Sequence, residues 1–293
     1  MAKTKKLLKT LGIVLLLLIL VLAAAIIWLT IREYKPAEKE TLKPPSGVRT
    51  LSLEDTFSIM TFNTGYAGLD KTEDFFMDGG KEVQPKERSQ VEQNLKGICD
   101  ILAANPSDIY FLQEVDLDSK RSFHTNEKAY YEDTLGIPGV FACNFKCDFV
   151  PYPLPPIGKV NSGILTLTDL NASSAARLSL PESFSWPVKT CNLKRCMLET
   201  RIPLKGTEAE LVLINFHLEA YDSGEGKIAQ SKMLAKKLEE EYAAGNYVIA
   251  GGDFNQTFEG MDTYPVLNTE NWVPGVIGED SIPEIRCLAS HKI

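Results

Sequence analysis

Four apolar runs in this chain close on polar side chains that suit work on phosphate. "TFN" ends at Asn63, "LQE" at Glu114 and "NFH" at His217, while "GGDFN" delivers Asp253 and Asn255 two residues apart. Glu114 offers a hard anionic oxygen to a metal, and Asn63 a neutral one. Oxygen ligands of this kind favour Mg²⁺, which keeps several of its waters and binds substrate phosphate directly; Mn²⁺ is the alternative ion. His217 is placed to donate a hydrogen bond to a phosphate oxygen that gains charge during attack. Asp253 is the candidate to orient or deprotonate the attacking water, and Asn255 to fix that water or the phosphoryl group. Taken singly, a strand-end Glu can be merely solvated, an Asn a turn former and a His a satisfied imidazole. Their recurrence at the ends of four separate runs points to metal-assisted attack of water on a phosphate ester.

Such groups need a scaffold that brings strand ends to one rim, where ligands gather in sheet-based domains. Strand-like sequence covers residues 57–65, 108–115, 160–170, 195–204, 210–220 and 247–255. Between them lie two helical patterns. In 86–106, Val91, Leu95, Ile98 and Leu102 recur at helical spacing and Pro106 stops the run. In 225–246, Ile228, Leu234, Leu238 and Tyr242 form the stripe, with Gly245 just past its end. The alternation predicts an α/β domain with mixed sheets covered by helices. Residues 131–156, rich in Pro and aromatics, read as a long irregular loop, where substrate selectivity is often set.

"IMTFNTG", "DIYFLQEVD", "INFHLEA" and "VIAGGDFN" resemble, in order and approximate spacing, the signature segments of the endonuclease/exonuclease/phosphatase superfamily. The resemblance implies a four-layer sandwich, two β-sheets packed face to face with helices outside, and Mg²⁺-dependent hydrolysis of phosphate esters. It implies that Glu114 and Asn63 serve the metal, that His217 contacts phosphate, and that Asp253 and Asn255 form the paired GDxN residues. It also draws attention to Asn161, in an "NSG" segment, and to Arg121, as substrate-binding candidates. Arg121, His124 and Arg195 can equally be loop residues in water. The superfamily pattern closes with a late Asp–His element that would orient an imidazole at phosphorus. Here Ser290-His291 has no Asp beside it and no apolar strand before it. The expectation is a domain over 53–293 that lacks its late strands, with a catalytically impaired binding domain as the alternative reading.

The N-terminus predicts where this chemistry is held. Lys3, Lys5, Lys6 and Lys9 precede residues 11–31, an uncharged run of 21 residues. At about 1.5 Å per residue it spans roughly 30 Å, the thickness of a bilayer's hydrocarbon core. Ala23-Ala24-Ala25 resembles a cleavage site, but the apolar run continues past it through Leu29, so an uncleaved anchor is the better reading. The lysines place residues 1–10 in the cytoplasm and the domain on the outer side of the cell membrane. Residues 32–52, rich in Pro, Lys and Glu, read as a tether.

With 31 Lys and Arg against 39 Asp and Glu, the net charge of −8 opposes a surface built to grip long nucleic acid. The expected partners are the bilayer and a small phosphate ester. Six cysteines allow disulfides or free buried thiols; neither close pair, Cys143/Cys147 or Cys191/Cys196, is CxxC and no histidine lies near those pairs, which weighs against a zinc or redox module.

Overall fold

The computed structural model describes residues 2–222, 224–260 and 273–278. In chain order its elements are α1 (Ala2–Arg32), β1 (Lys39–Leu42), β2 (Leu51–Ser52), β3 (Ile59–Asn63), α2 (Arg88–Ala104), β4 (Ile109–Asp116), α3 (Glu127–Leu135), β5 (Gly139–Val150), β6 (Gly158–Thr168) and β7 (Ser174–Ser179). After these come β8 (Cys196–Lys205), β9 (Glu210–His217), α4 (Glu225–Ala243), β10 (Tyr247–Asp253), β11 (Gln256–Phe258) and β12 (Gly275–Ile277).

Two mixed sheets form the centre. One runs β1-β7-β8-β9-β10, with β2 on β8, and the other runs β3-β4-β6-β5. Side-chain alternation along the strands builds the layers. Ile109 and Phe111 of β4 face inward and meet Ile202, Leu211 and Leu213 of the opposite sheet. Tyr110 and Leu112, on the other face of β4, pack under Val91, Leu95 and Leu102 of α2 and Tyr131 of α3. Across the sandwich, Val212, Ile214 and Phe216 of β9 turn outward to Leu234 of α4. The order is helices, sheet, sheet, helix, the four layers expected. Each fully buried Leu or Ile in these seams contributes about 1.5–3 kcal/mol.

Helix ends follow local chemistry. Asn126 Oδ1 accepts the Ala129 N–H at 3.0 Å to cap α3. Gly245, at φ 82°, takes the left-handed residue after α4, as its position in the sequence predicts.

Two stretches differ from expectation. Residues 131–156 are not one irregular loop: they hold the end of α3 and the 12-residue strand β5, and outside regular structure lie a short link at 136–138 and the Pro-rich 151–156. Every second residue of β5 is buried along its first half, and it pairs with β6 along its length. Residues 32–52 are not a free tether: β1 pairs antiparallel with β7, and Leu51 and Ser52 pair with β8. A charged strand such as "KETL" suits the edge of a sheet, where one face meets water. β7, "SAARLS", is a further strand the periodicity did not mark.

Among the described residues no disulfide forms; Cys99, Cys143, Cys147, Cys191 and Cys196 are free. Burial pushes the Cys147 thiol up to about 11 and Cys196 up to about 12, so both are inert thiols rather than redox centres. Cys287, Ser290 and His291, and with them the question of late strands, lie outside the described residues.

Candidate active site

The register of the sheets carries the polar strand ends to one place. β9 and β10 run parallel with Asp253 opposite His217, and β3 and β4 run parallel with Asn63 opposite Gln113, one residue before Glu114. Where the two sheets meet, the Asn63 amide bridges them. Its Nδ2 donates to Glu114 Oε1 at 2.9 Å and to Asp253 Oδ2 at 2.8 Å. Its Oδ1 accepts the Gly65 N–H at 3.0 Å. In this arrangement Asn63 clips the two carboxylates together, and its nitrogen rather than its oxygen faces them. His217 Nε2 lies 3.7 Å from Asp253 Oδ2.

Local backbone makes these positions possible. The two glycines of "GGD" permit close approach. A Cβ on Gly251 would come within 2.9 Å of the Phe111 ring on the opposite sheet, and one on Gly252 within 2.0 Å of the Phe216 carbonyl oxygen. Glu114 sits at φ 56°, where the β4–β6 register shifts between Leu112 and Val115. Such a bulge re-aims one side chain out of the strand's alternation, and a left-handed non-glycine residue costs on the order of 1–3 kcal/mol. The strain turns Glu114 toward the cleft. Asn255, also left-handed at φ 50°, donates its backbone N–H to Asp253 Oδ1 at 2.9 Å and its side-chain amide to the Leu218 carbonyl at 2.9 Å. Asp253 is therefore held at both oxygens.

These groups open into a cleft of about 570 Å³, shared by Asn63, Glu114, His217, Asp253 and Asn255. Arg195, also on its wall, has a side chain only 4% exposed. Its Nε lies 3.7 Å from Glu219, and its Nε and Nη1 have no hydrogen-bond partner among the described residues. A buried guanidinium with free donors at a cleft wall is suited to a phosphate. Burial, reinforced by the charges of Arg195 and Arg121, holds His217 well below the ordinary histidine range, so the imidazole is neutral at pH 7. Burial raises Glu114 above the usual carboxylate range, and the neighbouring Asp253 charge adds to it against the pull of Arg121 and Asn63.

The other expected residues fall differently. Arg121 lines the cleft, but its guanidinium is committed: Nε and Nη2 bind Asp116 at 3.1 and 3.0 Å, Nη2 also donates to Ser162, and the group stacks 3.7 Å over Tyr66. Asn161 is not on the cleft wall; it lies beside Cys143, and its neighbour Ser162 is the residue that faces the cleft, together with Asn144 of β5. His124 is exposed and paired with Asp118 at 2.6 Å, away from the cleft. Nothing in the sequence marks Asn144, because the prolines after β5 disguise the strand that carries it.

Whether a divalent cation fits can be asked of the donor set. Among the described residues no three His, Cys, Asp or Glu side chains cluster as a metal site. The two carboxylates Glu114 and Asp253 do converge on one amide, half-buried, with no Lys or Arg among the described residues bonded to either. Two desolvated carboxylates repelling one another form an environment that a cation relieves.

Against known proteins, the sequence profile described as "Endonuclease/Exonuclease/phosphatase family" matches residues 60–278. The chain belongs to the endonuclease/exonuclease/phosphatase family. The matched span contains all five of Asn63, Glu114, His217, Asp253 and Asn255. Family structures with a similar fold include an endonuclease/exonuclease/phosphatase from Beutenbergia cavernae DSM 12333, with 17% identity, TM-score 0.47, and 61% of this chain and 43% of that one covered. Truncated TDP2 from Caenorhabditis elegans gives 18% identity, TM-score 0.42, and coverage of 72% and 66%. ANGEL2, a 2',3'-cyclic phosphatase, gives 16% identity, TM-score 0.48, and coverage of 75% and 57%. The chain thus spans 43% to 66% of the length of these three proteins. No curated protein matches the sequence.

Proposed function

We propose that this chain is a membrane-anchored hydrolase of phosphate esters that works with a divalent cation, Mg²⁺ or in its place Mn²⁺. The observation that carries the reading is the meeting of Glu114, Asn63, Asp253 and His217, from four strands of two sheets, in one cleft whose wall also holds the buried guanidinium of Arg195. The family joins nucleases and phosphatases, which share the cutting of a phosphoester bond.

The protein's own groups divide the work. Glu114 and Asp253 would hold the cation, with Asn63 fixing their spacing. When bound, the cation supplies charge neutralisation on the phosphoryl oxygens and a polarised water. Neutral His217 donates a hydrogen bond to a non-bridging oxygen, and the Arg195 guanidinium on the same wall adds positive charge as that oxygen gains negative charge. Asp253, locked by Asn63 and by the Asn255 N–H, keeps one carboxylate lone pair free to take a proton from the attacking water.

Membrane anchoring rests on α1, in which an 18-residue apolar stretch within Lys3–Arg32 has mean hydropathy 3.2 and is not buried among the described residues. The lysines before it support an orientation with the domain outside the cytoplasm.

The test is turnover of a soluble phosphodiester and a phosphomonoester by the full chain in detergent, titrated with Mg²⁺ and Mn²⁺. The expected result is cation-dependent hydrolysis that vanishes in Glu114→Ala. Turnover that persists in chelator, or in that variant, overturns the reading. Protease protection in sealed vesicles tests the orientation.

A further inference from the structure

The end of α1 is joined to the domain. Leu29 packs against the apolar cluster built from Phe145, Cys147, Val150 and Val160, beside Ile157 and Leu193. Trp186 Nε1 donates to Thr30 Oγ1 at 3.1 Å, and Arg32 Nε to Asp148 Oδ2 at 2.6 Å. Lys194 Nζ meets Glu33 Oε1 at 2.8 Å, with both side chains less than 5% exposed. A buried ion pair, a packed leucine and two further bonds leave no slack between helix and domain.

The side chains that seat Leu29 also belong to the cleft. Phe145, Val150, Ile157 and Leu193 line its wall, and Phe75, Met77 and Tyr152 extend that apolar end. Around the same seat the domain exposes large apolar groups on two segments. Phe149 and Leu154 follow Asp148, the anchor of Arg32; Trp186 and Val188 flank the bond to Thr30. Leu154 is 88% exposed. Apolar residues at such density beside a helix of membrane length form one continuous surface with it.

We propose that Phe149, Leu154, Trp186 and Val188 form a second membrane contact that sinks into the leaflet from which α1 emerges. The apolar end of the cleft then opens onto that leaflet. The substrate class follows: an amphiphilic phosphoester resident in the bilayer, its phosphate at Glu114, His217 and Arg195 and its apolar part along Phe75, Met77 and Tyr152. The membrane contact stands on α1 alone; the substrate class rests on the hydrolase reading above.

The experiment has two arms on the full chain in phospholipid nanodiscs. In the first, Trp28→Phe and Trp272→Phe leave Trp186 as the single tryptophan of the three, and the lipids carry bromine near the headgroup end of their acyl chains. Trp186 emission is expected to fall by at least half relative to unbrominated discs; unchanged emission overturns the membrane contact. In the second, the triple variant Phe149→Ser, Leu154→Ser, Val188→Ser, none of which lines the cleft, is compared with wild type on a disc-embedded phospholipid and on soluble bis(4-nitrophenyl) phosphate. The expected result is a drop of at least tenfold on the lipid and less than twofold on the soluble ester. Equal changes on both, or none on either, overturn the substrate assignment. Absence of turnover on both by wild type removes the hydrolase reading and the substrate class with it, while the bromine arm still decides the membrane contact.

Discussion

At one end of the cleft, Asn63, Asp253 and Asn255 are fixed by directed bonds at defined distances, and Glu114 holds its place through a strained backbone. At the other end, Phe75, Phe76 and Tyr152 are held by ring contacts and packing, with Tyr152 69% exposed. The polar end spends stability on geometry, and the apolar end offers surface. Chemistry at phosphorus tolerates little displacement, so its residues sit on strand ends of two sheets. Selection of an apolar substituent needs only area and shape. On the proposed reading, catalysis and selectivity would be divided between the rim and the 145–157 region.

That division can be broken in a graded series. Glu114→Gly carries the largest effect. Loss of the carboxylate is expected to lower turnover about a thousandfold, equivalent to several kcal/mol. Because glycine accepts φ 56° without strain, the urea midpoint should not fall; a clear loss of stability would show that the bulge is not strained. Next, Lys194→Met leaves buried Glu33 with only the exposed Lys35 ammonium at 3.6 Å, at a cost of about 3 kcal/mol in chemical denaturation, and Glu33→Leu in the same chain should restore most of it. Hydrolysis of a soluble ester by the Lys194→Met protein should stay within a factor of about two, the separation of the two ends requiring it. His217→Ala is expected to slow turnover about a hundredfold, with the loss in kcat rather than KM, as befits a donor used when charge develops.

The smallest effect lies away from both ends, where α4 meets β8. Burial alone would raise Glu199 and Glu241, but hydrogen bonds from Lys237, joined by Arg201 at Glu199 and by Asn246 at Glu241, bring both below the ordinary glutamate value of 4.5. A depressed carboxylate stabilises the fold above its unfolded pKa and loses that contribution as pH falls through the folded value. The urea midpoint should therefore be flat from pH 7 to about 5 and drop below that, with a shallower drop in Lys237→Met. Turnover normalised to folded protein should not follow this curve.

Much of the polar end was legible in the sequence because each of its strands is a short apolar run that stops at a carboxylate, amide or imidazole. Asn63, Glu114, His217, Asp253 and Asn255 all reach one cleft. The left-handed turn of Glu114 was not legible, since nothing in "LQEV" announces a bulge. Asn161 was the wrong member of "NSG": strand alternation turns Ser162 to the cleft instead. Arg121 reads as a substrate-binding candidate or a loop cation, yet Asp116, a strand residue five positions earlier, draws its guanidinium into an internal ion pair. Arg195 carried no signal to separate it from a solvated arginine, because its burial depends on chain contacts with Glu219. The apolar end was obscured by composition. Prolines at 151, 153, 155 and 156 masked a preceding 12-residue strand, and the charges of "KETL" hid a strand that closes the edge of a sheet.

The Asn63 clip has a mechanical meaning. It spans the seam between the sheets, and so does Gln113, whose Nε2 donates to Asn215 Oδ1 at 2.8 Å in the buried interior. Parting of the halves and dismantling of the centre are thus a single motion. On the proposed reading, a small ion shared by Glu114 and Asp253 would work as a rivet through both plates. Its uptake should slow hydrogen exchange in β4 and β9 together, far beyond the few atoms it touches.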